Sequence, residues 1–346
     1  MIDFIRSRIA RMITHLILEG VAESSLGVGI DIVGAAARLA GRSLVDVPHA
    51  TGRLRQRVVS LDGQPVRSGA GRAIAVDGAF DLRGMGASDV LVVPGWFSAT
   101  EASIGQLLSR DQAQRGILAL ERAAAQGALL CASCSATFLL AGTGVLDGQR
   151  ATTTWWLAAA FARRFPAVSL AADRMLVEAP GVLTAGSAFA HADLMLAVVS
   201  RIAGPTLAQW VARYLVLDSR SSQSRYMVME HLRVADPAFQ KVERFIIDNL
   251  DRQILLKELA DVAAVSPRTL ARRLHAGLGM TPNEWVQRLR ISYATHLLET
   301  SDLRVDDIAA RVGYADPAAF RRVFRRFSGE SPRGRRVHSP AGHPGT

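Results

Sequence analysis

The sequence is poor in lysine and cysteine and has no long uninterrupted hydrophobic run. Lys241 and Lys257 are its only lysines, so arginine supplies nearly all of the positive charge behind the formal net charge of +10. Two thiols, Cys131 and Cys134, cannot build the disulfide framework of a small secreted domain. No window reaches the roughly 18 apolar residues that a membrane-spanning helix needs. We therefore expect a cytoplasmic protein without membrane contact.

Signatures of bound metals and cofactors are also missing from the sequence. No group of cysteine, histidine and acidic residues has metal-ligand spacing, and no P-loop or dinucleotide fingerprint occurs. We expect neither a metal nor a cofactor. The basic, apolar start of the chain has no cleavage site of a signal peptide, and we expect a short helix that leads into a strand.

The 346 residues exceed what one hydrophobic core usually organises, which predicts two domains. The first 210 or so residues alternate between strand-like and helix-like segments. Strands are expected at 13–18, 88–93 and 127–132; helices at 31–40, at 101–125 and from 135 onward; and the turns of an added hairpin around 62–72 and 82–87. This alternation predicts an α/β fold with a parallel sheet covered by helices on both faces.

A polar run after Asp218 predicts a linker, and only helical patterns follow it. The predicted organisation is therefore α/β plus all-α. Its expected boundaries are 1–215 for the α/β domain, 216–236 for the linker, 237–338 for the helical domain and 339–346 for a disordered tail.

Two segments of the helical part, 256–279 and 305–332, repeat one pattern. In each, a short helix with an apolar stripe precedes a capping residue and a proline, Ser266-Pro267 in the first and Asp316-Pro317 in the second. The helix that follows keeps its apolar residues on one side and its arginines on the others. A continuous amphipathic helix over 282–299 joins the segments, and the pattern is typical of paired helix-turn-helix units.

Residues 240–336 resemble the AraC/XylS-type regulator domain. From Ile308 to Pro332 the chain matches the family pattern IA..VGY.D...F.R.F.R..G.SP at about a dozen fixed positions. The chain departs from what is common in the family at Ala318, where serine is frequent, at Arg335, where an aromatic is frequent, and at Ala264 in the first unit, which replaces a frequent turn glycine.

The resemblance implies a transcription regulator that places two recognition helices in successive major grooves of double-stranded DNA, about 34 Å apart. It also implies a homodimer. The residues expected at the DNA are Ser266, Arg268, Thr269, Arg272 and Arg273 in the first unit, and Ala319, Arg321, Arg322, Arg325 and Arg326 in the second. The residues alone leave open that these helices are only a solvated basic surface.

In the α/β part, an apolar strand runs directly into Cys134, and a helix follows at once. A thiol at the start of a helix is expected to be stabilised as a thiolate. With Gly95 at the end of the neighbouring strand, residues 13–210 resemble the PfpI-type branch of the class I glutamine amidotransferase-like superfamily. The resemblance implies an amidotransferase-like sandwich.

Enzymes of that superfamily pair the cysteine with an acid on the loop after the first strand and with a histidine. In this sequence Ser25 and Thr154 stand at those two positions, so we predict no catalytic residue and no enzymatic turnover. Glu19 and Glu23 are alternative candidates for the acid.

Three further residues near this site have ordinary structural interpretations. His191 and Asp193 begin an apolar helix, where an N-terminal cap is a simpler role than a catalytic dyad. Cys131 lies within a predicted strand and is expected in the core, although a redox switch with Cys134 stays open.

An active site without its catalytic partners leaves a pocket that can hold a small metabolite or amine. The expected lining is Ser25, Gly95, Trp96, Cys134, Ser135 and Thr154. The favoured function is a DNA-binding regulator that such an effector controls. The alternatives are a cysteine-dependent hydrolase or hydratase fused to a DNA-binding module, and a DNA-binding scaffold that responds to no ligand.

Overall fold

A computed structural model describes residues 12–40, 54–83, 85–218, 220, 223, 237–278, 280–328 and 331–337. The helix expected before residue 12, most of the predicted linker and the tail at 339–346 lie outside these residues. The chain divides after Gln223 into two compact units. Arg220 and Gln223 fall within the predicted linker, yet both bond to residues of the first unit. The first unit therefore extends beyond the predicted limit at residue 215.

A twisted sheet forms the centre of the first unit. The strands of the described residues are β1 (Met12–Leu16), β2 (Arg55–Ser60), β3 (Val66–Arg67), β4 (Ala73–Ile74), β5 (Gly78–Ala79), β6 (Val90–Val93), β7 (Leu129–Ser133), β8 (Arg150–Ala151), β9 (Ser169–Leu170), β10 (Leu176–Ala179) and β11 (Val182–Ala185). Seven of them follow the order β10-β11-β7-β6-β1-β2-β5. All neighbouring pairs are parallel except β10 and β11. The predicted parallel sheet is confirmed.

Helices cover both faces of this sheet. The helices of the first unit are α1 (Glu23–Ala40), α2 (Glu101–Ser109), α3 (Asp111–Ala125), α4 (Thr137–Gly142), α5 (Ala158–Arg164), α6 (His191–Ala203) and α7 (Pro205–Tyr214). Helices α1, α6 and α7 pack together on one face, and α3 and α4 contact β7 on the other. A hydrophobic core lies on each face of the sheet. The completely buried strand β6 contributes to both cores, because Leu91 points into one and Val92 into the other. Burial on both faces explains its purely apolar sequence.

The prediction of a short helix over 31–40 was wrong about where the helix begins. Helix α1 starts at Glu23, two turns earlier. Serine and glycine, which are weak helix formers, concealed those turns in the sequence. At Gly29 the structure shows why a glycine is needed, because a Cβ there would lie 2.9 Å from Nε2 of His191 and 3.4 Å from Cε1 of His15. The lack of a side chain lets α1 approach two buried imidazoles.

The prediction of one helix over 101–125 was also wrong, because the chain breaks at Arg110. That residue has extended backbone angles, φ −69° and ψ 143°, between α2 and α3. Side chains compensate for the interrupted ladder: the Ser109 hydroxyl donates to the carbonyl of Gln106, and the Gln114 amide donates to that of Leu108. An amphipathic period that continues through the break hides it from sequence analysis.

The expected hairpin exists but is shorter than predicted. Strands β3 and β4 pair in antiparallel fashion, and their turn falls within the first polar stretch, 62–72. The second stretch, 82–87, lies outside the hairpin and leads into β6.

The second unit is entirely helical in its described residues. Its helices are α8 (Pro237–Asp248), α9 (Leu256–Val262), α10 (Pro267–Leu278), α11 (Pro282–Thr300), α12 (Val305–Arg311), α13 (Pro317–Ser328) and α14 (Pro332–Val337). Phe239 packs edge-on against Trp285 with ring centroids 5.7 Å apart, and Phe320 and Phe324 are fully buried under α11. Pairs α9/α10 and α12/α13 are the two predicted helix-turn-helix units, with α11 as the predicted joining helix.

The turns of the two units differ at one backbone position. In both, the first helix ends two residues before a left-handed residue, which is Gly313 (φ 76°) in the second unit and Ala264 (φ 54°) in the first. A side chain at 313 would collide with the carbonyl oxygen of Leu250, so only glycine fits there. Ala264 is exposed and collides with nothing, but its Cβ strains the left-handed backbone.

We therefore expect Ala264→Gly to stabilise the second unit by about 1 kcal/mol, because glycine adopts this conformation without strain. Differential scanning calorimetry of the full chain measures the change. The matched control is Ala310→Gly, an exposed alanine inside α12, which should lose about 1 kcal/mol. Equal destabilisation by both substitutions would contradict the prediction.

Candidate functional site

The recognition helices α10 and α13 begin at the predicted capping residues. The Ser266 hydroxyl accepts a hydrogen bond from the backbone N–H of Thr269 at 3.1 Å. The Asp316 carboxylate accepts from the N–H groups of Ala318 and Ala319 at 2.8 and 3.0 Å. Each cap fixes the first turn of its helix, the part that enters a DNA groove in helix-turn-helix proteins.

Helix α10 presents two arginines directly opposite its core side. Leu270 and Leu274 are buried, whereas Arg268 and Arg272, one turn apart, are exposed on the far side. Arg273 is exposed on the flank of the helix. The expected residue Thr269 is half-buried, and its hydroxyl lies 2.9 Å from that of Ser266.

Helix α13 separates its four arginines into two kinds. Arg322 and Arg325 are exposed opposite the buried phenylalanines, and Arg322 lies 3.9 Å from Asp316, the cap of its own helix. Arg321 instead forms an ion pair with Asp306 of α12, and Arg326 lies 3.5 Å from Glu284 of α11. The latter two are held towards neighbouring helices, a distinction that the sequence did not reveal.

Position 319 is less open than expected, because Ala319 is half-buried beside the core. Ala318 is the exposed alanine of the first turn of α13 and lies on the same side as Arg322. The helical period around Phe320 could have shown that 318 rather than 319 faces away from the core.

Cys134 lies on a sharp turn at the end of β7. Its φ of 55° is unusual for a residue with a side chain. The turn brings it against Gly95, where a Cβ would lie 2.6 Å from the Cβ of Cys134 and 2.7 Å from the carbonyl oxygen of Ser133. The strained turn therefore depends on a glycine at the end of the neighbouring strand β6.

We expect Gly95→Ala to destabilise the first unit by about 1–3 kcal/mol, since its new methyl group overpacks the turn. Urea unfolding followed by tryptophan fluorescence measures this change. In the control, Gly105→Ala, the added Cβ meets no atom within 4 Å and replaces a glycine inside α2. That variant should gain about 0.5–1 kcal/mol, so a loss at both positions would argue against overpacking.

The residues beside Cys134 are tied to it by hydrogen bonds. The Cys134 thiol lies 3.7 Å from the carbonyl oxygen of Trp96, to which the Ser135 hydroxyl also donates at 2.6 Å. The backbone N–H of Trp96 in turn lies 2.9 Å from the Ser135 oxygen. Thr153 donates to the carbonyl oxygen of Cys134 at 2.9 Å. The cysteine, the Trp96 loop and the 152–154 loop thus form one connected group.

The expectation of a stabilised thiolate was wrong. Burial raises the pKa of Cys134 above its ordinary value, and the backbone N–H of Ser135 and the hydroxyls of Thr154 and Ser135 only partly oppose it. Only 2% of the residue is exposed. Burial raises the pKa of Cys131 as well, and this residue lies in the core as predicted. At neutral pH both sulfurs are thiols.

Ser25 and Thr154, the residues that the sequence analysis assigned to the positions of the acid and the base, are both buried. Ser25 lies in the first turn of α1 and donates to the carbonyl oxygen of Ala188 at 3.1 Å. Thr154 is fully buried and borders the thiol. The alternative acids are engaged with the β3–β4 hairpin: Glu23 bonds to Ser68 and Arg72, and Glu19 accepts from the backbone N–H of Arg67.

His15 and His191 are two buried histidines whose proximity to each other was not recognised from the sequence. His15 on β1 lies 3.1 Å from the amide oxygen of Gln56, and Nδ1 of His191 lies 2.9 Å from the Ser133 hydroxyl. Burial lowers the pKa of His15 to about 4 and that of His191 to about 3. The proximity of His15 contributes to the second shift. A histidine within a strand predicted to be buried was the signal that could have indicated this pair.

The cap expected at His191 was wrong. The residue preceding α6 is Ala190, and no side chain caps the helix. His191 is buried in the core and hydrogen-bonded to Ser133, while Asp193 forms an ion pair with Arg220 at 2.5 Å. The two residues therefore form neither a cap nor a dyad.

Comparison with known proteins agrees with both halves of this description. The model of the DJ-1/PfpI family matches residues 30–201, and that of a helix-turn-helix domain matches residues 259–336. The HTH-type transcriptional regulator GbdR of Pseudomonas aeruginosa is 27% identical over 342 residues, which cover 98% of this chain and 88% of the relative. The HTH-type transcriptional regulator GlxA of Rhizobium meliloti is 28% identical over 335 residues, which cover 94% of this chain and 95% of the relative.

A solved structure confirms the fold of the first unit. A ThiJ/PfpI family protein from Pseudomonas syringae superimposes with a TM-score of 0.51 and 20% identity, covering 66% of this chain and 85% of that chain. Across the described residues, no helix is both long and apolar enough to span a membrane.

Fold, recognition helices and relatives together define a sequence-specific DNA-binding transcription regulator. More narrowly, the chain belongs to the AraC/XylS-type regulators that carry an N-terminal PfpI-type domain.

Proposed function

We propose that a small ligand, bound near Cys134, controls how this regulator engages DNA, and that the first unit performs no catalysis. The observation that carries the proposal is the burial of Cys134, which raises the pKa of its thiol, together with the buried hydroxyls of Ser25 and Thr154, the residues that the sequence assigns to the positions of the acid and the base. A thiol without a carboxylate or an imidazole to activate it is a poor nucleophile. The scaffold of an active site then serves binding.

The proposed ligand site comprises Ser25, Gly95, Trp96, Cys134, Ser135 and Thr154. Its lining is buried in this state, so binding requires the surrounding loops to open. A ligand that binds only the opened conformation shifts the population towards it, and that shift is the regulatory signal. Hydroxyls, carbonyls and one indole favour a small molecule with several hydrogen-bonding groups.

At the DNA, we propose that Arg268 and Arg272 of α10 and Arg322 and Arg325 of α13 make the groove contacts. Their exposure opposite the core supports this assignment. A homodimer would place two such pairs on neighbouring half-sites of double-stranded DNA. Regulation of chromosomal promoters assigns the protein to the cytoplasm.

Titration calorimetry and thermal shift on the full chain, with a library of metabolites, test the ligand. We expect a compound that raises the melting temperature of the wild type and that loses this effect with Cys134→Ala or Trp96→Phe. Operator binding should change with the same compound. If no compound stabilises the protein and both variants regulate normally, the ligand proposal is wrong.

Alkylation separates this proposal from a cysteine hydrolase. Because the pKa of Cys134 is raised, the folded protein should react with iodoacetamide at pH 7 far more slowly than the unfolded chain does. Mass spectrometry of the peptide over 123–150 follows the reaction. Faster alkylation in the folded state would indicate an activated nucleophile and favour the enzyme.

A further inference from the structure

Gln223 is completely buried in the first unit, although it lies in the polar segment that follows α7. Its side-chain amide donates to the carbonyl oxygens of Ala172 and Thr153 at 2.7 and 2.9 Å, and more weakly to the Thr152 hydroxyl at 3.4 Å. Its backbone N–H donates to the carbonyl oxygen of Asp173 at 2.9 Å. The segment that leads to the second unit is thus fastened to the first at the buried Gln223, three residues after the ion-paired Arg220.

The cavity that holds this amide, here termed the acceptor socket, consists of the carbonyl oxygens of Thr153 and Ala172 and the hydroxyl of Thr152. These groups satisfy the N–H₂ end of the carboxamide. The Oε1 end is buried and has no hydrogen-bond partner among the described residues. Leaving such an acceptor unpaired is costly, so a group that carries only donors fits the socket better than glutamine does.

The acceptor socket adjoins the proposed ligand site. The carbonyl oxygen of Thr153 accepts a hydrogen bond from the Gln223 amide, and the Thr153 hydroxyl donates one to the carbonyl oxygen of Cys134. Thr154, the next residue, borders the thiol. A change in the occupant of the socket therefore acts on the same loop that lines the ligand site.

We propose that the acceptor socket binds an N–H donor group of the effector, such as a primary ammonium or an amidinium, and that Gln223 fills it when the effector is absent. This inference rests on the proposed function. The effector and the linker compete for one cavity, so binding releases the segment that leads to the DNA-binding unit. Because Gln223 belongs to the same chain as the socket, its effective concentration there is high, and it competes well with a free effector.

Limited trypsin digestion of the full chain measures release of the tether, because Arg225 follows Gln223 by two residues. Gln223→Ala removes the occupant. Gly186→Ala blocks the socket instead, because its Cβ would lie 2.7 Å from Cδ of Gln223. Both variants should be cleaved after Arg225 about tenfold faster than the wild type, given the loss of two good hydrogen bonds. The control is Gln209→Ala, an exposed glutamine of α7, with the wild-type rate expected.

The ligand class is tested with n-propylammonium chloride, and tetramethylammonium chloride is the cation without an N–H group. Propylammonium should speed cleavage of the wild type and raise the melting temperature of Gln223→Ala, whose socket is empty. Tetramethylammonium should do neither. Equal effects of the two salts, or wild-type cleavage of Gln223→Ala, would overturn the proposal.

These measurements use no operator DNA. Failure of the proposed function, in which no compound alters DNA affinity, is therefore distinguishable from failure of the socket.

Discussion

Arg272→Ala and Arg322→Ala should each weaken operator binding by about 10- to 100-fold, and the double variant should bind specific DNA little better than random DNA. The two arginines occupy equivalent positions of α10 and α13, five residues after the prolines that open those helices. Both are exposed opposite the core. An arginine that reads a guanine contributes about 1–3 kcal/mol of discrimination, which is the range behind this expectation.

Fluorescence anisotropy on an operator selected from genomic DNA measures these affinities at several salt concentrations. A base-reading arginine should lose specificity when replaced, whereas a phosphate-binding one should lower affinity for all sequences and reduce the salt slope by about 1. Arg115→Ala, an exposed arginine of α3, removes the same charge from the first unit and is the control. If it weakens binding as much as Arg322→Ala, net charge rather than the recognition helix carries the effect.

The first unit should lose stability steeply between about pH 6.5 and pH 5. His15 and His191 are neutral in the folded protein, with pKa values lowered to about 4 and about 3, whereas both regain a pKa near 6.5 on unfolding. Below pH 6.5 the unfolded chain therefore binds more protons, and stability falls with pH. Two such groups remove about 4 kcal/mol by pH 5, a large share of the stability of a typical domain.

Urea denaturation over about pH 5–8 tests this expectation, with fluorescence from the tryptophans, four of which lie in the first unit. The double variant His15→Gln/His191→Gln should show a much flatter dependence, whatever its stability at neutral pH. The control is His296→Gln, an exposed histidine of α11, which should keep the wild-type slope. An unchanged slope in the double variant would assign the acid sensitivity to other groups. The lowered pKa values of Asp62 and Asp81 concern a more acidic range than this window.

The sequence predicted most of the architecture because its strongest patterns are local. A strand buried on both faces, such as β6, is apolar throughout, and a cap followed by proline marks the start of α10 and of α13. The helix break at Arg110 was missed because its compensation comes from side chains one turn away. Local sequence patterns do not show that side-chain hydrogen bonds replace the backbone hydrogen bonds of a helix.

The position of Cys134 on a turn beside Gly95 was predictable from the sequence, but the electrostatics of the thiol was not. Cys134 and Gly95 are both at the expected turn, yet the protonation of the thiol depends on burial by segments distant in the chain. The same holds for His191, which looks like a helix cap until Ser133 is known to lie beside it. Gln223 belongs to a polar run that reads as a linker, and only the three acceptors around it reveal its role.

The ends of the central sheet limit how two copies can join. In the described residues one edge is β5, Gly78–Ala79, and the other is β10, Leu176–Ala179, which carries the exposed Glu178 and is followed by Pro180. Edges this short, and in one case charged and stopped by proline, offer little for strand-to-strand pairing between molecules. In the homodimer that we propose, contact through helical surfaces is therefore favoured over extension of the sheet from one copy to the other.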